Sequence, residues 1–266
     1  MVRKTVVEGQ FYPADKKGLL EQLDDMIPAG EKKVDAIGAV MPHAGYVCSG
    51  YVAGETYGRL KPGDTYIILG PNHTGYGKRF AACGESWMTP LGEVGVDNDL
   101  LEGIMNKTGL ISMDITAHVF EHSIEVQLPF IQKISPEAKI VPLTVRHGTF
   151  EEYREVAEAI TSAVEGQSKK VVVIASSDMT HYEKREIARE KDKKAIQAVL
   201  DLDAKRLLDV VERENITMCG YIPTVIMLLS ACGMGAKKSE LVKYTDSGDV
   251  TGDTLQVVGY AGILVY

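Results

Sequence analysis

The 266-residue chain is 45% hydrophobic and 25% charged, an ordinary balance for a globular protein, and its length fits one large domain or two intimate ones. With 29 basic and 37 acidic side chains the formal net charge is −8 and the pI near 5.3, so no global basic field exists to attract phosphate backbones, and nucleic acid is not an expected partner. No segment approaches the roughly 18 to 20 uninterrupted apolar residues of a membrane-spanning helix, and the basic N-terminus reaches Glu8 without an apolar core, unlike a secretory signal, so a cytoplasmic protein with no membrane association is expected.

In chain order, Gly9-Gln10-Phe11-Tyr12-Pro13 reads as a turn, and Leu19, Leu20, Leu23 and Met26 recur at helical spacing, predicting a helix over 16–26 capped by Asp15. The apolar run over 37–41 predicts a strand buried on both faces. Small residues over 49–60, among them Gly50, Ala53, Gly54 and Gly58, predict a helix lying close on a sheet, and a second buried strand is expected over 66–69. A strand is expected over 79–86, a loop over 87–92, a helix near 97–106 and another over 121–133. The pattern then predicts a strand over 139–145, a helix over 151–164 and a third buried strand over 170–175. Two charged amphipathic helices follow over 184–200 and 203–214, then a more buried helix over 219–232 and closing strands over 241–245 and 257–265. This alternation predicts an α/β fold, a three-layer α/β/α sandwich with a mostly parallel central sheet.

The three buried strands share one design, ending in Pro42-His43-Ala44-Gly45-Tyr46, Gly70-Pro71-Asn72-His73 and Ser176-Ser177-Asp178-Met179-Thr180-His181. Ligands of open α/β sheets sit outside the carboxyl ends of the strands, so these tails are expected to converge on one site. His43 and His73 could bind a metal there, imidazole suiting iron, copper, zinc or nickel, or each could hydrogen-bond a loop. Cys219, at the start of the expected helix, should have a lowered thiol pKa and serve as nucleophile or metal ligand; otherwise it is a small buried apolar residue. Asp178 and His181 stand three apart, so in a helical turn the carboxylate would orient the imidazole or accept a proton beside it. Glu121 or Ser123 is placed to cap the helix they open, with Glu125 facing inward. His118 and His122 are four apart, but the base of an H-E-x-x-H site is absent, as are the G-x-S-x-G, G-x-G-x-x-G and P-loop patterns. The cysteines Cys48, Cys83, Cys219 and Cys232 form no C-x-x-C pair and are expected to be mostly reduced.

Together, the tags around His43 and His73, Glu121-His122-Ser123-Ile124-Glu125, Ser176-Ser177-Asp178 with His181, and Cys219-Gly220 resemble the Memo family in order and spacing. The resemblance covers essentially the whole chain, from Gly9-Gln10-Phe11-Tyr12-Pro13 to Val258-Gly259-Tyr260. It implies a single domain over 1–266 with a fold similar to the class III extradiol ring-cleaving dioxygenases, which use non-haem Fe(II) held by two histidines and a glutamate. It places metal ligands at His43, His73 and Cys219, catalytic groups at Asp178 and His181 alongside, and Tyr46, Asn72, His122 and Glu125 behind them. Cysteine where the dioxygenase has its carboxylate softens the site, favouring iron or Cu(I) over magnesium or calcium, and two histidines with one cysteine also suit zinc. The prokaryotic branch of the family is AmmeMemoRadiSam system protein B, whose gene context implies AMMECR-domain and radical SAM proteins as partners; the animal branch is named for cell motility.

The resulting expectation is a metal-dependent redox protein, an oxidoreductase with Fe(II) in an open site of two histidines and a cysteine, acting on a small molecule or peptide yet to be identified. Two alternatives stand beside it: a non-catalytic module that captures a peptide or protein in the inherited pocket, and a zinc hydrolase working through a metal-activated water.

Overall fold

Each run expected to be buried on both faces is a fully buried strand in the computed structural model, which describes residues 2–266. The first half of the chain runs β1 (Val2–Arg3), α1 (Lys16–Met26), β2 (Gly38–Met41), α2 (Tyr46–Arg59), β3 (Thr65–Pro71), β4 (Phe80–Ala82), β5 (Ser86–Thr89), β6 (Gly92–Val94), α3 (Asn98–Met105), β7 (Ser112–Met113) and α4 (Leu128–Ile134). The second half runs β8 (Lys139–Val145), α5 (Phe150–Val164), β9 (Val171–Ser176), β10 (His181–Glu183), α6 (Arg185–Leu200), α7 (Ala204–Arg213), α8 (Tyr221–Gly233), β11 (Ser239–Asp246), α9 (Gly248–Thr251) and β12 (Val257–Val265).

Strands β2, β9, β3 and β8 lie side by side and parallel, with Met41 opposite Ser176, Leu69 opposite Ala175 and Pro71 opposite Val145. All four therefore end at one edge, where His43, His73, Arg146 and Asp178 leave the sheet, the position at which α/β sheets hold ligands. Antiparallel pairing flanks this centre: β12 runs against β2, β10 and β11, and β4 runs against β8. A separate three-stranded sheet joins β1, β5 and β6.

Helices cover both faces, which completes the three layers. A side chain at Gly38 would meet Met227 of α8, whereas one at Gly262 would meet Thr56 of α2. Gly38 pairs with Val265, three residues beyond Gly262, so the two positions point to opposite faces. Helices α1 and α4 pack with α2; on the other face α5 and α7 pack on α8, and α3 packs on α5. No helix among the described residues is long and apolar enough to cross a membrane.

The strand expected over 79–86 is only β4, over 80–82, and two further expected elements differ. The helix expected over 121–133 begins only with a short 3-10 turn, Glu125–Gln127, before α4; ahead of it the chain is a loop in which the Glu121 carboxylate accepts from the His73 ring and backbone as well as from the backbone N–H groups of His122 and Ser123, which ties the segment to the end of β3. The expected loop over 87–92 is instead a hairpin of β5 and β6, with Trp87 fully buried beneath the Arg3 guanidinium 4.3 Å from its ring.

Candidate metal centre

Strand β2 hands over to Pro42 and then His43, whose ring is almost fully buried. Its Nδ1 lies 2.9 Å from Ser176 Oγ at the end of β9. That hydroxyl gives its single proton to the Ser123 carbonyl at 2.6 Å and accepts from Gln127 Nε2 at 2.8 Å. His43 Nδ1 must therefore be the donor, which leaves the Nε2 lone pair facing outward from this network. The Gln127 amide is itself fixed, its Nε2 also donating to the Pro42 carbonyl at 2.9 Å and its Oε1 accepting from Tyr57 at 3.1 Å.

His73 reaches the same arrangement from β3. Its Nδ1 lies 2.9 Å from Glu121 Oε1, and its backbone N–H donates to Oε2 at 2.5 Å. Glu121 is fully buried; burial alone would raise its pKa, yet the His73 ring and the backbone donors hold it down at about 2, so it is an acceptor only. His73 Nδ1 is then the donor and Nε2 is free. Burial works against a charged His73 ring, but the Glu121 carboxylate overrides it and raises the pKa. The loop can sit this close to β3 because Gly70 has no Cβ: one built there would lie 2.5 Å from Ser123 Oγ.

His122 follows Glu121 and stacks on His73, with ring centroids 4.9 Å apart and planes 15° from parallel, while meeting His43 edge-on at 5.6 Å. One nitrogen from each of His43, His73 and His122 lies within 4.8 Å of the others, so the group could hold a metal ion. Burial, reinforced at His43 by the neighbouring imidazoles, lowers the pKa of His43 and of His122 and keeps both neutral, the form that ligates.

Cys219 Sγ lies 3.2 Å from His43 Nε2, against the imidazole cluster. Gly220 brings it there, since a Cβ at that position would lie 2.3 Å from the Ser176 carbonyl oxygen at the end of β9. The expected lowering of the thiol pKa is reversed: α8 starts two residues later at Tyr221, and burial, then the nearby Asp178 carboxylate, push the thiol up. Asp178 is buried, which raises its pKa, and its Oδ1 accepts from the backbone N–H groups of His43 at 2.7 Å and Ala44 at 3.3 Å. The expected helical turn joining it to His181 does not form; residues 177–180 carry no helical turn and His181 opens β10. His181 is oriented by Thr217 instead, whose carbonyl takes Nδ1–H at 2.9 Å, leaving Nε2 unpaired by that bond.

The four residues expected behind the ligands take different places. His122 joins the cluster itself. Tyr46 is buried with its hydroxyl on the Val126 carbonyl at 2.7 Å, and Asn72 organises its own loop through Thr74, Gly75 and Tyr76. Glu125 is committed elsewhere, to Arg3, the backbone N–H groups of Val6 and Val7, and the Tyr12 hydroxyl. The sequence reading did not find the Glu121 carboxylate as the partner of His73, nor Ser176 and Gln127 as the relay behind His43; the only local signal was the Glu121-His122 pair.

A carboxylate behind a ligating histidine fixes its tautomer and raises its basicity, and loss of such a partner costs roughly 10- to 100-fold in metal affinity. Glu121→Gln should therefore weaken metal binding by about that factor while the protein stays folded, measured by competition against a chelating dye. Unchanged affinity would remove Glu121 from the site.

The model of the Memo-like protein family matches residues 3–264. Similar relatives include the MEMO1 family proteins of Methanopyrus kandleri, 42% identical over 279 residues with 99% of each chain covered, and of Methanococcoides burtonii, 44% identical with 99% of this chain and 100% of that one covered. The MEMO1 family protein of Archaeoglobus fulgidus is also 44% identical, with 99% of each covered. Among solved structures, an uncharacterized protein from Escherichia coli K12 superimposes with a TM-score of 0.56 at 12% identity, covering 85% of this chain and 98% of that one, which shows a shared fold.

Proposed function

The chain belongs to the Memo-like family, and from that premise together with the histidine cluster we propose that it is a cytoplasmic, metal-dependent redox protein. The observation that carries the reading is the matched commitment of two imidazoles, one buried and one open to solvent: His43 and His73 each donate Nδ1–H to a fixed acceptor and keep Nε2 for a ligand. His122 or Cys219 would complete the set. Nitrogen donors with an adjacent thiol suit iron, copper or zinc better than a hard cation, and the resemblance to the non-haem iron dioxygenases puts Fe(II) first among them. When bound, such a metal supplies electron transfer or Lewis-acid chemistry at the carboxyl edge of the sheet.

The chain's own groups would bind, orient and move protons around it. His181, held by Thr217 through Nδ1, presents Nε2 as the proton-transfer atom. Asp178, its pKa raised by burial, holds a proton more readily than a surface aspartate and fixes the His43 backbone through Oδ1. A second reading, a binding module, draws support from Tyr76 and Phe120, exposed aromatics 6.4 Å apart on the two loops that carry His73 and Glu121. They offer a place for an AMMECR-domain or radical SAM partner, or for a peptide.

Metal content and oxygen uptake of anaerobically purified protein test the proposal together. One metal per chain with uptake is expected in the wild type, and Cys219→Ser should lower both if the thiolate is the third ligand. Loss in His122→Ala, with Cys219→Ser unaffected, would give that place to His122. Wild type without stoichiometric metal defeats the reading. Metal without uptake, alongside partner capture that survives Cys219→Ser, makes the protein a binding module.

A further inference from the structure

We infer that the cleft beside the metal centre takes a small organic acid, and that Arg146 is the residue that receives its anionic group. The inference deepens the metal-centre reading, on which it rests for the identity of the site, by naming the class of ligand.

Arg146 directly follows β8, so it leaves the sheet at the same edge as His43 and His73. With His73 and Cys219 it lines a cleft of about 390 Å³. That volume suits a small molecule rather than a polymer. Behind it stand the buried apolar side chains of Val145, Ile216 and Met218.

The charge of Arg146 is unmatched among the described residues. Each of the other arginines of the chain lies within ion-pairing distance of a carboxylate, as expected for a protein with eight more acidic than basic groups. Arg146 has none; its two terminal nitrogens donate to the carbonyls of Gly75 at 2.5 Å and Gly77 at 2.8 Å. Carbonyls fix the plane of the guanidinium without neutralising it, and they use two of its five N–H groups. Its Nε–H, shielded from solvent, has no acceptor. An acidic protein that leaves one arginine without a counter-ion, clamps it in place, and sets it in the wall of its metal cleft has the features of an oxyanion receptor.

In the same lining the Tyr221 hydroxyl and His147 Nδ1 lie 3.0 Å apart, a second polar point for a ligand whose body lies on the apolar wall. A carboxylate and a phosphate share the chemistry that Arg146 would recognise, so both belong in the test.

The experiment is a titration of metal-free protein with benzoate, inorganic phosphate and benzamide, followed by NMR shifts of the arginine Nε–H and by calorimetry; omitting the metal prevents the anion from ligating it. Benzoate should bind and shift Arg146, with phosphate showing whether a phosphate group is taken as well, whereas benzamide, the neutral analogue, should bind at least tenfold more weakly than benzoate. Charge-assisted hydrogen bonds of this kind are worth roughly a 10- to 100-fold change in affinity, so Arg146→Gln should lose about that much. Arg146→Lys, which keeps the charge, should recover part of it, and a native melting profile in that variant guards against local collapse of the Gly75–Gly77 loop. The relative strength of benzoate and phosphate identifies the anion. Absence of benzoate binding, equal binding of benzamide and benzoate, or full affinity in Arg146→Gln would overturn the inference. Metal content of the same variants is measured separately: anion binding without metal would sink the metal reading alone, and metal binding without anion binding would sink this one alone.

Discussion

Substituting His43 with alanine should abolish stoichiometric metal binding, with an affinity loss of more than about 100-fold, while leaving the fold intact. The size follows from sharing the roughly 10 to 16 kcal/mol of a tight four-ligand protein site among its ligands, which gives about 3 kcal/mol for each. His43 is the sharpest single test because its tautomer is dictated from behind. Ser176 has one proton, already on the Ser123 carbonyl, so the ring has no choice but to donate through Nδ1 and keep Nε2. A histidine placed there only to pack would have no need of that relay. Dialysis against Fe(II) under nitrogen, followed by elemental analysis, reads the result. Metal retained at one equivalent in His43→Ala would move the site away from this edge of the sheet, and Glu121→Gln would then lose its meaning as a probe.

What the sequence disclosed, and what it concealed, follows from the range of each interaction. Buried parallel strands are apolar on both faces, so the runs at β2, β3 and β9 were legible, and the expected bounds of 139–145 and 257–265 are those of β8 and β12. Neighbouring parallel strands point their carboxyl ends to one edge of the sheet, so the convergence of His43, His73 and Asp178 was legible too. The loop at 121–124 was not. Its apolar spacing is helical, but the Glu121 carboxylate is held by the ring and backbone of His73, 48 residues away. Cys219 shows the same limit in electrostatics. A helix N-terminus lowers a thiol pKa only where the thiol is in the first turn and wet; here the helix begins at Tyr221, and burial beside Asp178 outweighs the dipole. Side-chain partners far apart in sequence decide tautomers, and no local pattern encodes them.

Glu125 extends that lesson to stability, and its removal should be among the most destabilising single changes in the protein. Its side chain and that of Arg3 are both almost wholly buried and paired through Nη1 and Oε2. Arg3 also donates to the carbonyls of His118 and Glu121, and Glu125 accepts from the Val6 and Val7 backbone and from Tyr12 at 2.6 Å. The N-terminal segment is thus fastened to the loop that holds Glu121 and His122 under the metal centre. Glu125→Ala would leave the Arg3 charge buried without a counter-ion, which costs roughly 3 to 5 kcal/mol. The double variant Arg3→Met with Glu125→Leu replaces the pair by apolar groups and should lose much less, since well-packed hydrophobic substitutes for a buried ion pair are often close to neutral. Urea unfolding of the two variants gives both numbers. A Glu125→Ala loss below about 1 kcal/mol, the range of an exposed pair, would mean that water reaches Arg3 and that this anchor does not hold the loop. If instead the loss is as large as expected, metal affinity measured on the folded fraction of Glu125→Ala should fall with it, because Glu121 would no longer be held in place beneath His73.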